Sequence, residues 1–190
     1  MTTRFNALLL TLLMCWTLPA WAAEGDYTIE VLIFTQNTYG DGAQPYDAMD
    51  PERAPPAIAD ARYPSPYDGA PFSQLEALPR ERLALGDDAA RLRREGFQIL
   101  WHSGWFQNVS TGRNPSVRID TADGRVDGVI KVDRGRYLHF KPDLLLSRDA
   151  AVEALPVRYR LQQSRRMRSE QLHYLDHPHF GMLVVIKPLN

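Results

Sequence analysis

Hydrophobic and polar residues alternate with a period of two along most of the chain after residue 96, which is typical of β-strands with one buried face. Residues 27–35 (YTIEVLIFT) begin with this alternation and then become continuously apolar, which indicates a central strand buried on both faces. The pattern predicts strands at residues 27–35, 97–107, 116–121, 125–132, 137–140 with an extension at 143–146, 157–163, 165–168, 172–175 and 182–186.

Two short polar stretches predict hairpin turns between neighbouring strands. Residues 133–136 (DRGR) separate two alternating runs, and Gly135 is expected to take the left-handed position of the turn. The pair Ser169-Glu170 predicts a second hairpin, in which residues 165–168 pair with residues 172–175.

Residues 84–95 have helical spacing. Asp87 or Asp88 is expected to cap the N-terminus of this helix, and Gly96 is expected to end it. One helix among many short strands predicts an α+β domain, dominated by an antiparallel β-sheet of about six to seven strands with one main helix. We expect one face of this sheet to pack on the helix and the other face to be free to bind.

Residues 37–81 interrupt the regular pattern. They hold eight of the fourteen prolines and show little periodic apolar signal. Such a segment cannot bury enough apolar surface for a core of its own, so we expect a long Pro-rich acidic loop with one short helical turn at residues 58–61. A functional loop and a poorly ordered insert are both open interpretations.

The first 22 residues have the pattern of a cleavable export signal. Arg4 supplies a positive charge, residues 7–18 form an apolar run too short to span a bilayer, and small residues stand at positions 20 and 22. We therefore expect residues 1–22 to be removed and residues 23–190 to form one periplasmic domain, with no integral membrane segment after cleavage.

The only cysteine, Cys15, lies inside this predicted signal. A retained membrane anchor or a lipid on Cys15 is the rival interpretation, but Met14 occupies a position where the lipidation motif requires a small residue. Without Cys15 the mature chain has no thiol, which excludes disulfides, thiol nucleophiles and cysteine-ligated zinc.

Charge is unevenly distributed along a chain whose formal net charge is −1. Residues 41–88 carry ten acidic and four basic residues, whereas residues 91–168 carry sixteen basic and eight acidic residues, so the predicted sheet is basic. Nucleic acid is not an expected partner in the periplasm. Cell-wall peptide carboxylates, anionic lipid headgroups and acidic proteins are the expected partner classes.

The common catalytic signatures are missing from the sequence. It has no HExxH motif, no glycine-rich phosphate loop and no nucleophile elbow. Ser103 directly follows His102, but neighbours along a strand point to opposite faces and do not form a catalytic pair. We therefore expect no enzymatic activity and no cofactor.

Arginine and aromatic residues share the predicted strands of the C-terminal half. Guanidinium groups pair with carboxylates and aromatic rings stack on sugars, so a sheet face that carries both suits a cell-wall ligand. A solvated face on which arginine stems cover apolar surface is the alternative. The candidate binding residues are Trp105, Tyr137, His139, Arg158, Arg160, Arg166, Arg168, His173 and Tyr174.

Residues 173–180 (HYLDHPHF) combine three histidines with an aspartate, which are common metal ligands. The Asp-His-Pro sequence is also a turn signal, and we favour a rigid corner of the fold over a metal site. A metal site that uses His173, His177 and His179 stays open as the alternative.

Four segments of the chain resemble the CsiV family. In the second of them, His102, Trp105 and Gln107 match a His-x-x-Trp-x-Gln pattern. The segments are YTIEVLIF at 27–34, GFQILWHSGWFQ at 96–107, GRYLHF at 135–140 and RRMRSEQLHYLDHPHFGMLVVIKP at 165–188.

This resemblance implies a periplasmic, peptidoglycan-binding protein of Gammaproteobacteria without enzyme activity. It also implies an accessory role in peptidoglycan synthesis, together with a lipoprotein activator of a bifunctional penicillin-binding protein. Two other function classes stay open: a metal-binding protein, and an adaptor whose protein partner docks on residues 37–81.

Overall fold

The computed structural model describes residues 25–36, 56–69, 75–148 and 157–189. The predicted export signal and residues 37–55 and 70–74 of the predicted insert lie outside these ranges. The described elements are β1 (Gly25–Thr35), β2 (Glu76–Ala77), a 3-10 turn (Arg80–Arg82), α1 (Gly86–Arg94), β3 (Ile99–Val109), β4 (Ser116–Asp120), β5 (Val126–Arg134), β6 (Leu138–Arg148), β7 (Val157–Gln162), β8 (Arg165–Met167), β9 (Leu172–His177) and β10 (Phe180–Pro188).

The strands form two five-stranded sheets in which neighbouring strands run antiparallel. The first sheet has the order β2-β3-β1-β10-β9, and the second has the order β4-β5-β6-β7 with β8 also paired to β6. The mostly antiparallel architecture with one helix is confirmed. The single sheet of about six to seven strands is wrong, because alternation shows that a strand has a buried face but not which strands share a sheet.

The main core lies between the two sheets, which pack face to face. Ile29, Val31 and Ile33 of β1 point into it and meet Ile130 and Phe140 of the second sheet; all five are fully buried. The inner face of the first sheet is therefore covered by the second sheet and is not free to bind, contrary to the expectation. The open face belongs instead to the second sheet, on the side turned away from the core.

A smaller core lies between α1 and the other face of the first sheet, where Leu32 and Val185 contact Leu85 and Ala89. Apolar contacts on both faces explain why the β1 sequence is continuously apolar. No side chain caps α1 from within the helix, so the predicted aspartate cap is wrong. Gly96 does end the helix, with a positive φ of 89°.

Two predicted turns differ from the structure. The segment 165–175 is not a hairpin, because β8 pairs with β6 in the second sheet and β9 pairs with β10 in the first. The connection crosses between the sheets at Glu170, which has a positive φ of 63°. Gly135 is not among the described residues with positive φ, although a turn does separate β5 from β6 as predicted.

The described parts of the predicted insert contact the sheets. Ala61 N–H donates to the Ile58 carbonyl at 3.0 Å, which confirms a turn at this position. Arg62 forms an isolated bridge with Val117 at the edge of the second sheet. Residues 76 and 77 form β2, and the next residue, Leu78, is buried.

Candidate functional site

The outward face of the second sheet forms a surface that we call the charged face. Its side chains alternate along the strands with buried residues such as Ile130, Val132 and Phe140 and point away from the core. Basic side chains outnumber carboxylates on it. Its residues are Arg118, Asp120, Asp127, Lys131, Asp133, His139, Lys141, Asp143, Arg158, Arg160 and Arg166.

Three carboxylates of the charged face are engaged by neighbouring cations, and the fourth, Asp120, accepts a hydrogen bond from the Tyr63 hydroxyl at 2.8 Å. Arg160 holds Asp143 through two hydrogen bonds, from Nε and Nη2, each of 2.7 Å. Arg118 forms an ion pair with Asp127. Because Arg118 and Arg160 already pair with carboxylates of the chain, they are less available to a ligand than an unpaired guanidinium group is.

Asp133 is shared by two lysines on neighbouring strands. The Nζ atoms of Lys131 and Lys141 lie 3.2 Å and 2.8 Å from its carboxylate oxygens. Burial acts to raise the pKa of Asp133, but the hydrogen bonds from Lys141 and Lys131 outweigh it and hold the pKa below its ordinary value. Two cations on one anion leave this patch with a net positive charge.

An arginine-aromatic cluster lies at one end of the charged face. The guanidinium carbon of Arg166 lies 4.6 Å from the centroid of the Tyr137 ring, and that of Arg136 lies 5.7 Å away. Tyr137 is 39% exposed, and Arg166 is paired across the strands with His139. Two guanidinium groups thus lie beside a flat, exposed aromatic ring. This arrangement suits a ligand that carries a carboxylate next to a sugar or an apolar group.

Arg158 lies towards the other end of the charged face, beside a cavity of about 280 Å³ that Arg118 and Asp127 also line. Its side chain is exposed, and among the described residues no carboxylate lies within ion-pair distance of it. The guanidinium groups without a carboxylate partner among the described residues thus lie near the two ends of the charged face, while the cations between them pair with carboxylates of the chain.

The structure brings only part of the predicted site together. Tyr137, His139, Arg158, Arg160 and Arg166 all belong to the charged face or border it. The predicted binding residues did not include Lys131 and Lys141, although the same alternation places them on this face. They were missed because only arginine, histidine and aromatic residues were considered as candidates.

Trp105 does not lie on any surface. Its ring is 1% exposed, and its Nε1–H donates to Gln107 Oε1 at 2.9 Å in the core between the sheets. The ring is therefore out of reach of a ligand. The other two residues of the His-x-x-Trp-x-Gln pattern also make contacts within the fold: His102 with Glu30, and Gln107 with Trp105 itself.

Arg168 follows β8, whereas His173 and Tyr174 belong to β9 of the first sheet and not to the charged face. The backbone N–H of Arg168 donates to His173 Nε2 at 3.1 Å, which fixes the imidazole at the crossing between the sheets. Tyr174 lies on the helix side of the first sheet, where its ring stacks on Phe34 with a centroid distance of 6.4 Å. Burial, and next the hydrogen bond to Asp176, raise the pKa of Tyr174 to about 12.

Comparison with known protein families shows to which family this chain belongs. The model of the CsiV family, described as peptidoglycan-binding protein, matches residues 5–189, nearly the whole chain. The chain belongs to the CsiV family. A search of curated proteins and a search of solved structures each gave no match. Because peptidoglycan lies outside the cytoplasmic membrane, membership in the CsiV family implies an extracytoplasmic location.

The histidines of this CsiV-family protein do not converge on one point. His173 and His177 are four residues apart on β9, a separation of about 13 Å along a strand. His177 and His179 are closer, with ring centroids 5.8 Å apart. Within the described part of the chain, no group of three or more His, Cys, Asp or Glu residues is placed to hold a metal ion.

Burial lowers the pKa of both His177 and His179, and the charge of a neighbour lowers it further: His179 for the first and Arg148 for the second. The turn at residues 178 and 179 joins β9 to β10, which confirms a corner at this position.

In the part of the chain that the structure describes, no helix has both the length and the apolar character needed to cross a membrane.

Proposed function

We propose that this CsiV-family protein binds peptidoglycan through the charged face of its second sheet. The observation that carries the proposal is the pair of guanidinium groups, Arg158 and Arg166, that lie near the two ends of an open face without a carboxylate partner among the described residues. Peptidoglycan offers carboxylates on its stem peptides and sugar rings on its glycan strands, which suit guanidinium groups and the exposed Tyr137 ring respectively.

Co-sedimentation with isolated sacculi tests this binding. Charge reversal in an Arg158→Glu and Arg166→Glu double variant should weaken binding of residues 23–190 about tenfold or more, since favourable ion pairs become repulsive. An Arg93→Glu and Arg94→Glu variant is the matched control, because it changes the charge equally on the exposed side of α1. Equal binding by a folded charged-face variant and the control would exclude this face.

We further propose that the protein is periplasmic and does not act as an enzyme on the wall. The short apolar run at residues 7–18 supports export, and the missing catalytic signatures support a binding role. Sacculi incubated with the protein should release no soluble fragments detectable by chromatography. Release above the level seen with heat-denatured protein would show an enzymatic activity.

The accessory role in wall synthesis is also a proposal, supported by the family resemblance. The protein should raise the rate of glycan polymerisation by a bifunctional penicillin-binding protein only when that enzyme's lipoprotein activator is present. An unchanged rate with the activator present would argue against this role.

The alternative function is that of an adaptor whose protein partner docks on the predicted insert. A test of this function needs a deletion that leaves both sheets intact. Removal of residues 37–81 would take away β2 and the buried Leu78, so a loss of function could reflect unfolding. A deletion of residues 37–55 avoids both. If the insert carries a protein partner, this deletion should abolish binding to the activator complex and leave sacculus binding unchanged.

A further inference from the structure

One end of the sandwich holds a cavity of about 260 Å³, where β1 ends, β5 begins and β6 ends. None of the described residues that line this cavity is acidic, and two of them are arginines. The lining residues that matter for its chemistry are Gln36, Gln98, Arg125, Arg148 and His179.

Strand register places the two arginines at the same end. The Ser147 N–H donates to the Arg125 carbonyl at 2.7 Å, so Arg125 lies opposite the residue that precedes Arg148. Ser147 is in turn paired with Arg158 of the charged face. The cavity is therefore next to the Arg158 end of that face.

His179 forms one wall of the cavity and is held in a defined orientation. It is 9% exposed, and its ring lies 3.7 Å from that of Tyr159. Arg148 Nη1 donates to its Nδ1 at 3.1 Å. Since a guanidinium can only donate, Nδ1 is the acceptor, and the proton of the neutral ring is on Nε2. This Nε2–H has no hydrogen-bond partner among the described residues.

Among the described residues, no carboxylate balances the positive charge that Arg125 and Arg148 bring to the cavity. In the described ranges, neither guanidinium lies within ion-pair distance of a carboxylate. The acid next to Arg125 in space is Asp123, which accepts from its backbone N–H at 3.1 Å rather than from its side chain. Two partly solvated guanidinium groups and an oriented imidazole N–H can together bind a planar, doubly accepting anion.

We propose that this cavity binds a free carboxylate of a peptidoglycan stem peptide, an inference that rests on the proposed wall binding for the source of the ligand. The arginines supply charge and paired donors, and His179 Nε2–H supplies a directional donor. Gln98 lines the same cavity and offers an amide donor to the peptide backbone, whereas the Gln36 amide already donates to the Tyr174 hydroxyl. Sugar or peptide further along the ligand would lie on the charged face next to Arg158.

Titration calorimetry with a soluble stem peptide that ends in D-alanine tests the cavity directly. The peptide with a free C-terminal carboxylate should bind about tenfold or more tightly than the same peptide with a C-terminal amide. Arg148→Gln should remove this preference, and Arg148→Lys should retain part of it because the charge stays while the fork is lost. Arg94→Gln on α1 is the control and should bind like the wild type.

A measurement on the unaltered protein covers the case in which the variants fail to fold. Addition of the free-acid peptide should shift the ¹⁵N resonance of His179 Nε2, and the amide should not shift it. Equal binding of acid and amide, or no response of His179, would overturn the proposal. Inorganic phosphate that displaces the acid and binds more tightly than it would assign the cavity to phosphate instead and would likewise overturn it.

Sacculus binding separates this proposal from the proposed function. If sacculi bind normally but the free-acid peptide does not, the cavity assignment fails and wall binding through the charged face stands. If the free-acid peptide binds at the cavity but sacculi do not, the cavity assignment stands as a carboxylate site and the proposed function fails.

Discussion

Glu30 positions the helix on the first sheet through one buried side chain. It is 2% exposed, and its carboxylate accepts hydrogen bonds from the backbone N–H groups of Ala84 and Leu85 at 2.6 Å and 2.8 Å. His102 Nε2 lies 2.8 Å from the same carboxylate. A negative charge at the start of α1 also interacts favourably with the helix dipole. The cap therefore comes from β1 rather than from Asp87 or Asp88.

These contacts predict a pH-dependent contribution to stability. Burial acts to raise the pKa of Glu30, but hydrogen bonds from His102, Leu85 and Ala84 outweigh it, so the pKa is lowered. A lowered folded-state pKa means that the stabilisation is complete above the unfolded-state pKa of about 4.3 and is lost as the pH falls through the folded value. Glu30→Gln should lower the free energy of unfolding by about 2 kcal/mol at pH 7.

Urea unfolding at several pH values measures this effect. The difference between wild type and Glu30→Gln should shrink as the pH falls from 7 to 3. A difference that is the same at both ends of this range would contradict the role of the charge. Glu95→Gln is the control, because Glu95 forms only an exposed ion pair with Arg91 and should change stability by less than about 0.5 kcal/mol.

Gly128 is required by the close approach of β5 and β6. Its φ is 150°, and a Cβ atom there would lie 2.2 Å from the Asp143 carbonyl oxygen. Gly128→Ala should destabilise the protein by about 3 kcal/mol or more, measured as the free energy of unfolding in urea. Gly135→Ala is the matched control, since nothing lies within 4 Å of its Cβ position. A cost for Gly128→Ala no larger than that of the control would contradict the close approach.

At the scale of elements, the connection between β8 and β9 decides how the two sheets are joined. Local sequence in this segment has two alternating runs around a polar pair, which is also the pattern of a hairpin. The structure uses the pair to cross from one sheet to the other, and Glu170 N–H donates to the Ile186 carbonyl at 2.8 Å. Hairpin and crossover have the same local pattern, so only long-range pairing separates them.

The left-handed backbone of Glu170 predicts a stabilising substitution. Glu170→Gly should raise the free energy of unfolding by up to about 1 kcal/mol, because glycine adopts a φ of 63° without the steric cost of a Cβ atom. Glu170→Ala keeps the Cβ atom and should leave the stability nearly unchanged. Thermal melts compare the three proteins, and equal melting temperatures for Gly and Ala variants would argue against strain at this residue.

At the scale of the whole molecule, function depends on which of the sheet faces stay uncovered. The second sheet covers one side of the first sheet, and α1 covers part of its other side, where Leu172 and Tyr174 of β9 stay exposed. The charged face is the broad charged sheet surface that the described residues leave open. Its carboxylates pair with the cations at its centre, and the arginines without a carboxylate partner among the described residues lie near its ends. Net charge along the sequence predicted a basic surface, but it could not predict this distribution.

The position of these charges predicts how wall binding depends on salt. Pelleting of the wild type with sacculi should fall as salt rises from about 0.05 M to about 0.5 M, because screening over a Debye length of about 10 Å or less weakens exposed ion pairs. The residual binding of the Arg158→Glu and Arg166→Glu variant should depend less on salt. Wild-type pelleting that does not change with salt would indicate binding that does not use these cations.

The sequence by itself determined the elements and the family. Period-two alternation, one helical stretch and Gly96 predicted α1 and most of the strands to within a few residues, because these signals are local and follow from backbone geometry. The short strand β2 was missed, because it lies in the segment that was predicted to be a Pro-rich loop. The segments that resemble CsiV gave the family. Trp105 was a candidate because an exposed tryptophan can stack on a sugar ring, but the structure buries it in the core between the sheets.

Only the tertiary structure decided which residues act together. Alternation reports that one side of a strand is buried but not what buries it, so the division into two sheets and the identity of the open face required long-range contacts. The same is true of Arg125, Arg148 and His179, which are far apart in the sequence and meet because β5, β6 and the β9–β10 turn end at the same edge of the sandwich.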